Sequence, residues 1–278
     1  MQRVDTIAAV FSAMQQVKTA APAYCANFFP VPQKLQRWID QNELFLEVSA
    51  GAAFFFTKDH DFWRIHFCAL DRNALRRQFL SLPALKTEPL VIDMLEYEKT
   101  ADGLVPLIES TGFRRYAQLC RLTRAGSAPL PPIPSGDIQP VYAAQKDARG
   151  VLEILGSSFD RYAEQIPKLS EIEMAAENRQ ILMLQHDQTI AGLLFFETQG
   201  AASTIRYWLV AEKFRALHYG SALMRAYFAA QGAVRRFTLW VMADNESALQ
   251  KYRHYGFMPD RLIDHVLVNE MIRHEISH

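Results

Sequence analysis

Apolar and polar residues follow strand and helix periods along the chain in two successive series. Alternating stretches rich in β-branched and aromatic residues predict strands, and apolar positions three or four apart predict amphipathic helices. The first series predicts, in chain order, helices at 5–18 and 33–41, strands at 44–48, 52–57 and 62–70, a helix at 72–80, a strand at 90–95, a helix at 104–110 and a strand at 116–123. The same order of elements recurs after residue 137.

Residues 125–137 separate the two series and concentrate proline, glycine and serine, which is typical of a linker. Short sequences recur on either side of it. Gly51-Ala-Ala-Phe-Phe-Phe56 resembles Gly192-Leu-Leu-Phe-Phe196, 141 residues later, and the Thr-Gly-Phe that ends at Phe113 resembles the Tyr-Gly-Phe that ends at Phe257, 144 residues later. We predict a duplicated unit, with domains at 1–124 and 138–278. Chance recurrence of two short apolar sequences is the alternative.

Composition narrows the class of protein. The 278 residues are 50% apolar, enough to bury cores in two domains of ordinary size. Lysine and arginine together number 30, as do aspartate and glutamate, so the overall charge gives no reason to expect nucleic acid or an anionic membrane as a partner. The N-terminus does not resemble a signal peptide, and no run approaches the ~18 to 20 apolar residues that span a bilayer. We expect a cytoplasmic protein without a membrane partner.

The three cysteines are widely spaced. Cys25, Cys68 and Cys120 form no Cys-x-x-Cys pair and have no histidine ligand set near them in sequence. We predict buried thiols and no metal site, and a catalytic cysteine is the unsupported alternative.

One turn suggests a phosphate site. It follows the strand-like stretch 203–210, runs from Arg215 to Ala222, and opens into a helix whose apolar positions lie on one face. A tight turn that enters a helix directs backbone N–H groups and the positive end of the helix dipole at one point, which suits a pyrophosphate. The first hypothesis is therefore the binding of a phosphorylated carrier.

The order of this turn and a later helix resembles the GNAT superfamily of acyl-CoA-dependent N-acyltransferases. In that family a turn of the form Arg/Gln-x-x-Gly-x-Gly/Ala holds the coenzyme A pyrophosphate, and an Asn-x-x-Ala-x-x-x-Tyr helix ending in Gly-Phe lies further on. The matching residues here are Arg215, Gly220, Ser221 and Ala222 in the turn and Asn245, Ala248, Tyr252, Gly256 and Phe257 in the helix. His218 departs from the pattern, because the family usually has its first glycine there.

The resemblance covers roughly residues 140–270 and implies an α/β (α+β) fold. We expect tandem GNAT-like domains, each a mixed, mostly antiparallel sheet flanked by helices. It further implies that the strand 236–242 splays from its neighbour to open a slot for the carrier. The implied carrier-binding residues are Tyr207, Trp208, Leu209, Val210, Arg215, Ala216, Leu217, His218, Tyr219, Gly220, Ser221, Ala222, Asn245 and Tyr252.

Acyl transfer to an amine requires a base for the amine and an acid for the departing thiolate. By resemblance Tyr252 is the candidate acid, although a core aromatic at helical spacing is the simpler interpretation, and Tyr255 lies close to it in sequence. For the base, the candidates are Glu197 at a strand end, Tyr207 or Arg206 on the next strand, or a chain of waters. Backbone amides at the end of the strand 206–210 are expected to polarise the carbonyl. Asn245 is predicted first to cap the helix that follows it, with a carrier contact as a second role.

Acceptor specificity in this family comes from the first two helices of the domain and their loop, here about 151–178. Phe159 and Tyr162 are candidates to line a pocket, and Asp160 is a candidate to hold a cationic amine. An ordinary buried face for Phe159 and Tyr162, at i and i+3, is the alternative.

The N-terminal half has no equivalent of the phosphate turn. Its counterpart, 70–77, lacks glycine, and Asp71 would repel a phosphate. We expect that half not to bind coenzyme A. For the whole chain we expect direct transfer of an acetyl or other acyl group from acyl-CoA, as co-substrate, to an amine of a small molecule or peptide. The alternatives are an acyl carrier protein as donor, or a catalytically silent binding module.

Overall fold

The computed structural model describes residues 1–98, 103–131, 139–187 and 189–272, except for the side chain of Ala216. Residues 132–137 of the expected linker lie outside this part. The strands are β1 Gln2–Arg3, β2 Cys25–Ala26, β3 Leu44–Ser49, β4 Ala52–Asp59, β5 Phe62–Ala69, β6 Leu90–Tyr97, β7 Phe113–Ala125, β8 Val141–Tyr142, β9 Ile181–His186, β10 Thr189–Gln199, β11 Ala202–Val210, β12 Arg236–Met242 and β13 Met258–Asn269. The α-helices are α1 Ile7–Ala20, α2 Pro32–Asp40, α3 Arg72–Ser81, α4 Val105–Glu109, α5 Ala148–Ser158, α6 Leu169–Glu177, α7 Tyr219–Ala230 and α8 Glu246–His254. Short 3-10 turns lie at Pro83–Lys86, Gln145–Asp147 and Glu212–Leu217.

The chain divides into two compact units. Unit 1 consists of Met1–Gln118 together with Leu262–His278, and unit 2 consists of Leu119–Arg261. This division differs from the linear one expected at 124 and 138. The difference arises because β7 and β13 are long strands, and each contributes one end to unit 1 and the other end to unit 2.

In unit 1, the strands follow the order β1-β3-β4-β5-β6-β13. All pairs are antiparallel except β5 with β6. Along β4, Phe54 and Phe56 pack on one face of the sheet with α3 and α4, and Phe55 packs on the other with α1 and α2. Successive side chains of a strand point to opposite faces, so this run of buried phenylalanines supplies both cores.

One strand of unit 1 comes from a segment that follows unit 2 in the sequence. Leu262–Val268 of β13 pairs antiparallel with Val91–Tyr97 of β6. Within the same unit, the buried Asn269 side chain accepts from the Leu90 amide at 3.0 Å and donates to the Leu85 and Glu88 carbonyls. These bonds fix the end of β13 in its place in unit 1.

In unit 2, the strands follow the order β7-β12-β11-β10-β9-β8. The part of β7 that belongs to this unit, up to Ala125, pairs antiparallel with β12, and β11 runs parallel to β12. Leu194 and Phe196 of β10 pack with α7 and α8 on one face, and Leu193 and Phe195 pack with α5 and α6 on the other. Unit 2 is thus a mostly antiparallel sheet with helices on both faces, as unit 1 is, and the expected fold class is confirmed. None of the helices in the described ranges is both long and apolar enough to cross a bilayer.

Candidate active site

The two parallel strands at the centre of unit 2 separate part of the way along. Their register runs from Ala202–Arg236 to Ile205–Leu239. Both strands continue, β11 to Val210 and β12 to Met242, but within the described residues no further pair joins them. The splay that the resemblance implied at 236–242 is therefore present. It leaves the β12-facing main chain of β11 free from Arg206 onward, because an unpaired edge presents its N–H and C=O groups.

A β-bulge lies where the splay begins. Tyr207 pairs with Phe195 of β10, and Ile205 pairs with the next residue, Phe196, so Arg206 is the extra residue. A bulge interrupts the ladder, strengthens the local twist and turns side chains to a different face. Here it places Tyr207 in the core under α5 and α6 and turns Trp208 toward α7 and α8.

The helix α7 begins beside the free end of β11. The Ala222 amide makes the first i to i−4 bond, to the His218 carbonyl at 3.1 Å, so the amides of Tyr219, Gly220 and Ser221 precede the helical ladder. These amides and the helix dipole make the N-terminus of α7 a suitable place for an anion. The exposed Arg215 adds a positive charge to the turn before it.

His218 and Gly220 have different roles in this turn. His218 has φ 57° and ψ 18°, the left-handed conformation that favours glycine, the residue that the resemblance leads one to expect there. Gly220 lies in a tightly packed place, because a Cβ there would lie 3.1 Å from Cζ2 of Trp208, closer than ordinary contact, and 3.7 Å from Cγ2 of Val210. The absence of a side chain at 220 lets the first turn of α7 rest on β11.

Most other side chains of the predicted carrier site are buried or half-buried. Tyr219 is buried, and its ring stacks on Phe214 at 5.8 Å between centroids. Ala222 is buried, Leu209 and Val210 are half-buried, and Leu217 is exposed. Tyr219 therefore offers its main-chain amide rather than its side chain to the turn, whereas the Ala222 amide makes the first helical bond.

Tyr252 faces the splay from α8. Its ring lies 5.4 Å from the Trp208 ring and it is buried, so the core interpretation is correct for its ring. In the described part of the chain no hydrogen bond is recorded for its hydroxyl. Burial, followed by the charge of Glu164, raises the pKa of Tyr252 well above its ordinary value. The phenol therefore stays protonated at neutral pH and is a proton donor rather than a base.

The neighbouring tyrosine is engaged elsewhere. The Tyr255 hydroxyl donates to the Ser221 hydroxyl at 3.2 Å, which ties the end of α8 to the first turn of α7. Asn245 caps α8, with its side-chain oxygen accepting from the Ala248 amide at 3.0 Å, as expected.

The base candidates from the sequence are paired with other groups. Glu197 is exposed and forms an ion pair with Arg206 at 2.6 Å. The Tyr207 hydroxyl donates to the carbonyls of Glu164 and Gln165 at 2.9 and 2.7 Å, and burial raises the pKa of Tyr207 to about 12. Tyr207 is thus a structural side chain that holds a loop against β11, and it is not available as a base.

That loop joins α5 to α6 and carries a carboxylate, Glu164, that was not among the candidate residues. Glu164 is half-buried, and its Oε2 accepts from the Asp160 amide at 2.9 Å. Burial raises the pKa of Glu164 to about 7, with the nearby Asp160 charge also raising it and the backbone bond opposing. The only signal in the sequence is a glutamate inside the expected acceptor region, and its proximity to Tyr252 appears only in the fold.

The predicted acceptor residues belong to the same loop. Asp160 uses its carboxylate locally, accepting from the Tyr162 and Ala163 amides at 2.9 and 2.8 Å. Phe159 packs edge-on to Tyr207 at 5.0 Å, as a core contact. Tyr162 is half-buried on this loop, with the Arg161 guanidinium 5.2 Å from its ring. Because α5 ends at Ser158, Phe159 and Tyr162 do not share a helical face, and the alternative interpretation from their i and i+3 spacing is wrong.

The corresponding slot in unit 1 is filled by the chain itself. β5 and β6 pair only at Trp63–Leu90 and Arg64–Val91 in the described part, and β2 adds to β5 beyond that point. The Asn27 side chain lies between the splayed strands, donating to the Ile65 and Asp93 carbonyls at 3.1 and 3.2 Å and accepting from the Phe67 amide at 2.6 Å.

The start of α3 in unit 1 is also closed. Asp71 caps this helix, and its carboxylate accepts from the Ala74 amide at 2.8 Å. A carboxylate therefore already occupies the place at which the corresponding turn of unit 2 presents free amides.

The cysteines show no sign of activation. Burial raises the pKa of Cys25 to about 11, and it also raises the pKa of Cys68 and Cys120, so the three thiols are protonated at neutral pH. Throughout the described ranges, no group of three or more His, Cys, Asp or Glu side chains is arranged to hold a metal ion.

Comparison with known proteins agrees with this architecture. Residues 148–257 match the model of the acetyltransferase (GNAT) family. No curated protein sequence matches the chain significantly.

Solved structures resemble the fold over nearly its full length. A tandem GNAT protein from the clavulanic acid biosynthesis pathway, solved without AcCoA, is 13% identical, with a TM-score of 0.59 over 97% of this chain and 96% of that one. A GCN5-related N-acetyltransferase from Sphaerobacter thermophilus is 14% identical, with a TM-score of 0.58 over 96% and 92%. One from Kribbella flavida is 16% identical, with a TM-score of 0.55 over 85% and 93%. At these identities the structures share the fold alone. Residues 148–257 are thus similar to the acetyltransferase (GNAT) family, and the solved structures show that the chain has the tandem GNAT fold.

Proposed function

We propose that unit 2 transfers an acetyl or other acyl group from acyl-CoA to an amine of a small molecule or peptide. The observation that carries the proposal is the free main-chain edge of β11, which begins at a bulge and ends beside the open N-terminus of α7. An extended amide-containing arm can pair with such an edge while its pyrophosphate lies on the helix.

The residues at this place fit coenzyme A. Three amides before the first α7 bond and the exposed Arg215 would hold the pyrophosphate. The main chain from Arg206 to Val210 would hold the pantetheine arm. Coenzyme A would supply the activated acyl group as a thioester, and the protein would supply position, electrostatics and proton transfer.

Tyr252 is proposed as the acid that protonates the departing sulfur. Its raised pKa keeps it protonated, and its ring lies against Trp208 at the splay. The free β11 amides would polarise the acyl carbonyl, which is commonly the largest electrostatic contribution in acyl transfer. Direct transfer in a ternary complex is favoured because the three protonated cysteines offer no thiolate nucleophile.

We propose one carrier site per chain. In unit 1 the Asn27 side chain occupies the slot and the Asp71 carboxylate occupies the helix terminus, so that unit has neither binding element free.

His218 supports one alternative donor. A side chain at the position of the first glycine is compatible with a donor that relies on its pantetheine arm, such as an acyl carrier protein. The remaining alternative is a binding module without catalysis.

The test is calorimetric titration of the whole chain with acetyl-CoA, dephospho-CoA and pantetheine, for wild type and Gly220→Asp. Micromolar binding at one site per chain, lost in the variant, is the expected result. Tyr252→Phe should keep this affinity while transfer falls by about 10² to 10⁴. If pantetheine is the only one of the three ligands that binds, the result would favour the carrier-protein donor. If none of the three binds, the coenzyme A proposal is refuted.

A further inference from the structure

Glu164 is held in a fixed position against β11. Its main-chain carbonyl and that of Gln165 both accept from the Tyr207 hydroxyl, and Tyr207 directly follows the bulge residue Arg206. The Glu164 amide also donates to the Asp160 carbonyl at 2.9 Å. The loop therefore moves with the strand that forms the proposed slot rather than freely.

The Glu164 carboxylate has one oxygen bonded and one available. Oε2 accepts from the Asp160 amide at 2.9 Å, and within the described residues Oε1 has no recorded partner. A carboxylate fixed through one oxygen keeps its orientation and presents the other to a ligand, which is the geometry required of a general base.

Among the described residues, this carboxylate interacts electrostatically with Asp160, with Tyr252 and with Tyr207. The Asp160 charge repels the Glu164 carboxylate. The Glu164 charge in turn raises the pKa of Tyr252, on α8, and of Tyr207, on β11. Glu197 differs, because it is exposed and neutralised by Arg206. Of these two glutamates, Glu164 is the one whose charge reaches the proposed acid.

We propose that Glu164 is the general base that accepts a proton from the acceptor, a protonated primary alkylamine. This inference rests on the proposed function of unit 2 and names its acceptor class. An alkylammonium with a pKa near ~10.4 is charged at neutral pH, so a half-buried carboxylate both attracts it and can deprotonate it. The value of about 7 for the Glu164 pKa lies near the pH at which a general base is most effective.

Glu164 and Tyr252 together account for the protons that leave the nitrogen and the proton that the sulfur gains. Glu164 takes one proton from the ammonium, and the nitrogen lone pair then forms the bond to the thioester carbonyl carbon. The C–S bond breaks with its electron pair on sulfur, and Tyr252 gives its proton to that sulfur. The tyrosinate takes the second proton from nitrogen, and Glu164 releases its own to solvent. The products are the amide, the free thiol and one proton.

The test compares two nucleophiles in Glu164→Gln, with Glu177→Gln as the matched control on an exposed site at the end of α6. Free thiol released from acetyl-CoA is measured with n-butylamine, which is protonated at neutral pH, and with hydroxylamine, which is not. Glu164→Gln should lose about 10² or more in kcat/KM with n-butylamine and little with hydroxylamine. Equal losses with both nucleophiles, or none, would overturn the proposal.

The pH profile gives a second readout. With n-butylamine, wild-type kcat/KM should fall below about pH 7 as Glu164 is protonated and level off above it. In Glu164→Gln it should rise tenfold per pH unit toward the pKa of the free amine, because only the neutral amine then reacts. A variant profile that keeps the wild-type plateau would contradict the base role.

Two measurements that need no acceptor complete the test. A ¹³C titration of glutamate carboxyls should show one signal with a midpoint near 7 in wild type that is absent from Glu164→Gln. A Glu164 signal near the ordinary ~4.3 would overturn the proposal. Calorimetry with acetyl-CoA distinguishes a failure of the proposed function from a failure of the role proposed for Glu164. If wild type does not bind acetyl-CoA, the result counts against the proposed function. Normal binding with an unchanged n-butylamine rate in Glu164→Gln counts against Glu164 alone.

Discussion

Trp208 and Gly220 are in contact at the point where strand β11 meets helix α7, with the Trp208 Cζ2 only 3.1 Å from where a Cβ at 220 would stand. The Trp208 indole nitrogen is buried and has no recorded partner within the described residues. Because the indole packs directly under the first turn of α7, a methyl group added at residue 220 would have to push it aside.

We expect Gly220→Ala to destabilise unit 2, in contrast to Gly156→Ala in α5. Nothing lies within 4 Å of a Cβ at Gly156, so alanine there should raise the free energy of unfolding by about 1 kcal/mol through helix propensity. At Gly220 the overpacking cost of about 1 to 3 kcal/mol should exceed that gain. Urea denaturation of both variants measures the contrast, and equal stabilisation at both positions would refute the packing role.

His218→Gly should stabilise the protein. A left-handed conformation costs a non-glycine residue about 1 to 2 kcal/mol, partly offset by the entropy that glycine loses on folding. The expected net gain of about 1 kcal/mol corresponds to about 2 to 4 °C in Tm. Gly200→Ala is the opposite control. Gly200 has φ 58° and nothing lies within 4 Å of a Cβ there, so alanine should lower Tm through the left-handed backbone alone.

Acetyl-CoA affinity shows whether His218 has a further role. If the turn needs only the left-handed backbone at 218, His218→Gly should bind acetyl-CoA at least as tightly as wild type. Weaker binding by a more stable variant would mean that the imidazole itself contacts the carrier.

Asn27→Ala should destabilise unit 1 without changing carrier binding. The side chain supplies three hydrogen bonds to main-chain groups of β5 and β6 that would otherwise be unpaired. Leaving such groups buried costs on the order of 2 to 4 kcal/mol in total. Urea denaturation should show this loss, whereas Asn178→Ala at the exposed end of α6 should show little. A second acetyl-CoA site in Asn27→Ala would contradict the assignment of a single carrier site.

Asp264→Asn should stabilise unit 1 at alkaline pH. Asp264 is buried, and its Oδ1 has no hydrogen-bond partner in the described part of the chain. It lies near Asp93 and near Arg64, which already forms ion pairs with Asp93 and Asp59. Burial first, then Asp93, raises its pKa well above the ordinary value, with Arg64 opposing. The folded state therefore binds the proton more tightly than the unfolded chain, and stability falls as pH rises above about 4.

The measurement is urea denaturation at pH 5 and pH 8. The stabilisation by Asp264→Asn should be larger at pH 8, where the wild-type carboxyl must either ionise in the core or hold its proton against solution. Asp244→Asn, on the exposed turn before α8, should show no such dependence. A loss of stability equal at both pH values would show that Asp264 acts only through its hydrogen bonds.

Local periodicity predicted most of the elements. The strand 236–242 and the helices and strands of the first series lie within a few residues of β12 and of α1 to β7. Asn245 was identifiable as a cap because its role needs only the three residues that follow it. The departure at His218 was also visible in the sequence, although only the left-handed φ of this residue in the fold explains it.

What the sequence did not predict depends on contacts between distant segments. A closing strand was expected in the second series, but its bounds were not, nor was the pairing of β13 with β6 more than 160 residues earlier. Glu164 could not be distinguished from other loop carboxylates, because its raised pKa and its effect on Tyr252 arise from burial created by α8 and β11. The filling of the unit 1 slot by Asn27 likewise requires three segments to meet.

The placement of β13 has a consequence for biosynthesis. The ribosome makes β6 long before it makes residues 262–268, yet those residues are the antiparallel partner of β6 in unit 1. Domains generally fold in the order in which they are synthesised, but unit 1 must wait until residues 262–268 have been translated. Meanwhile β6 offers an unprotected strand edge, which is a template for aggregation. The earliest-synthesised unit is thus the last that can be finished, and a nascent chain that stalls before Leu262 cannot complete it.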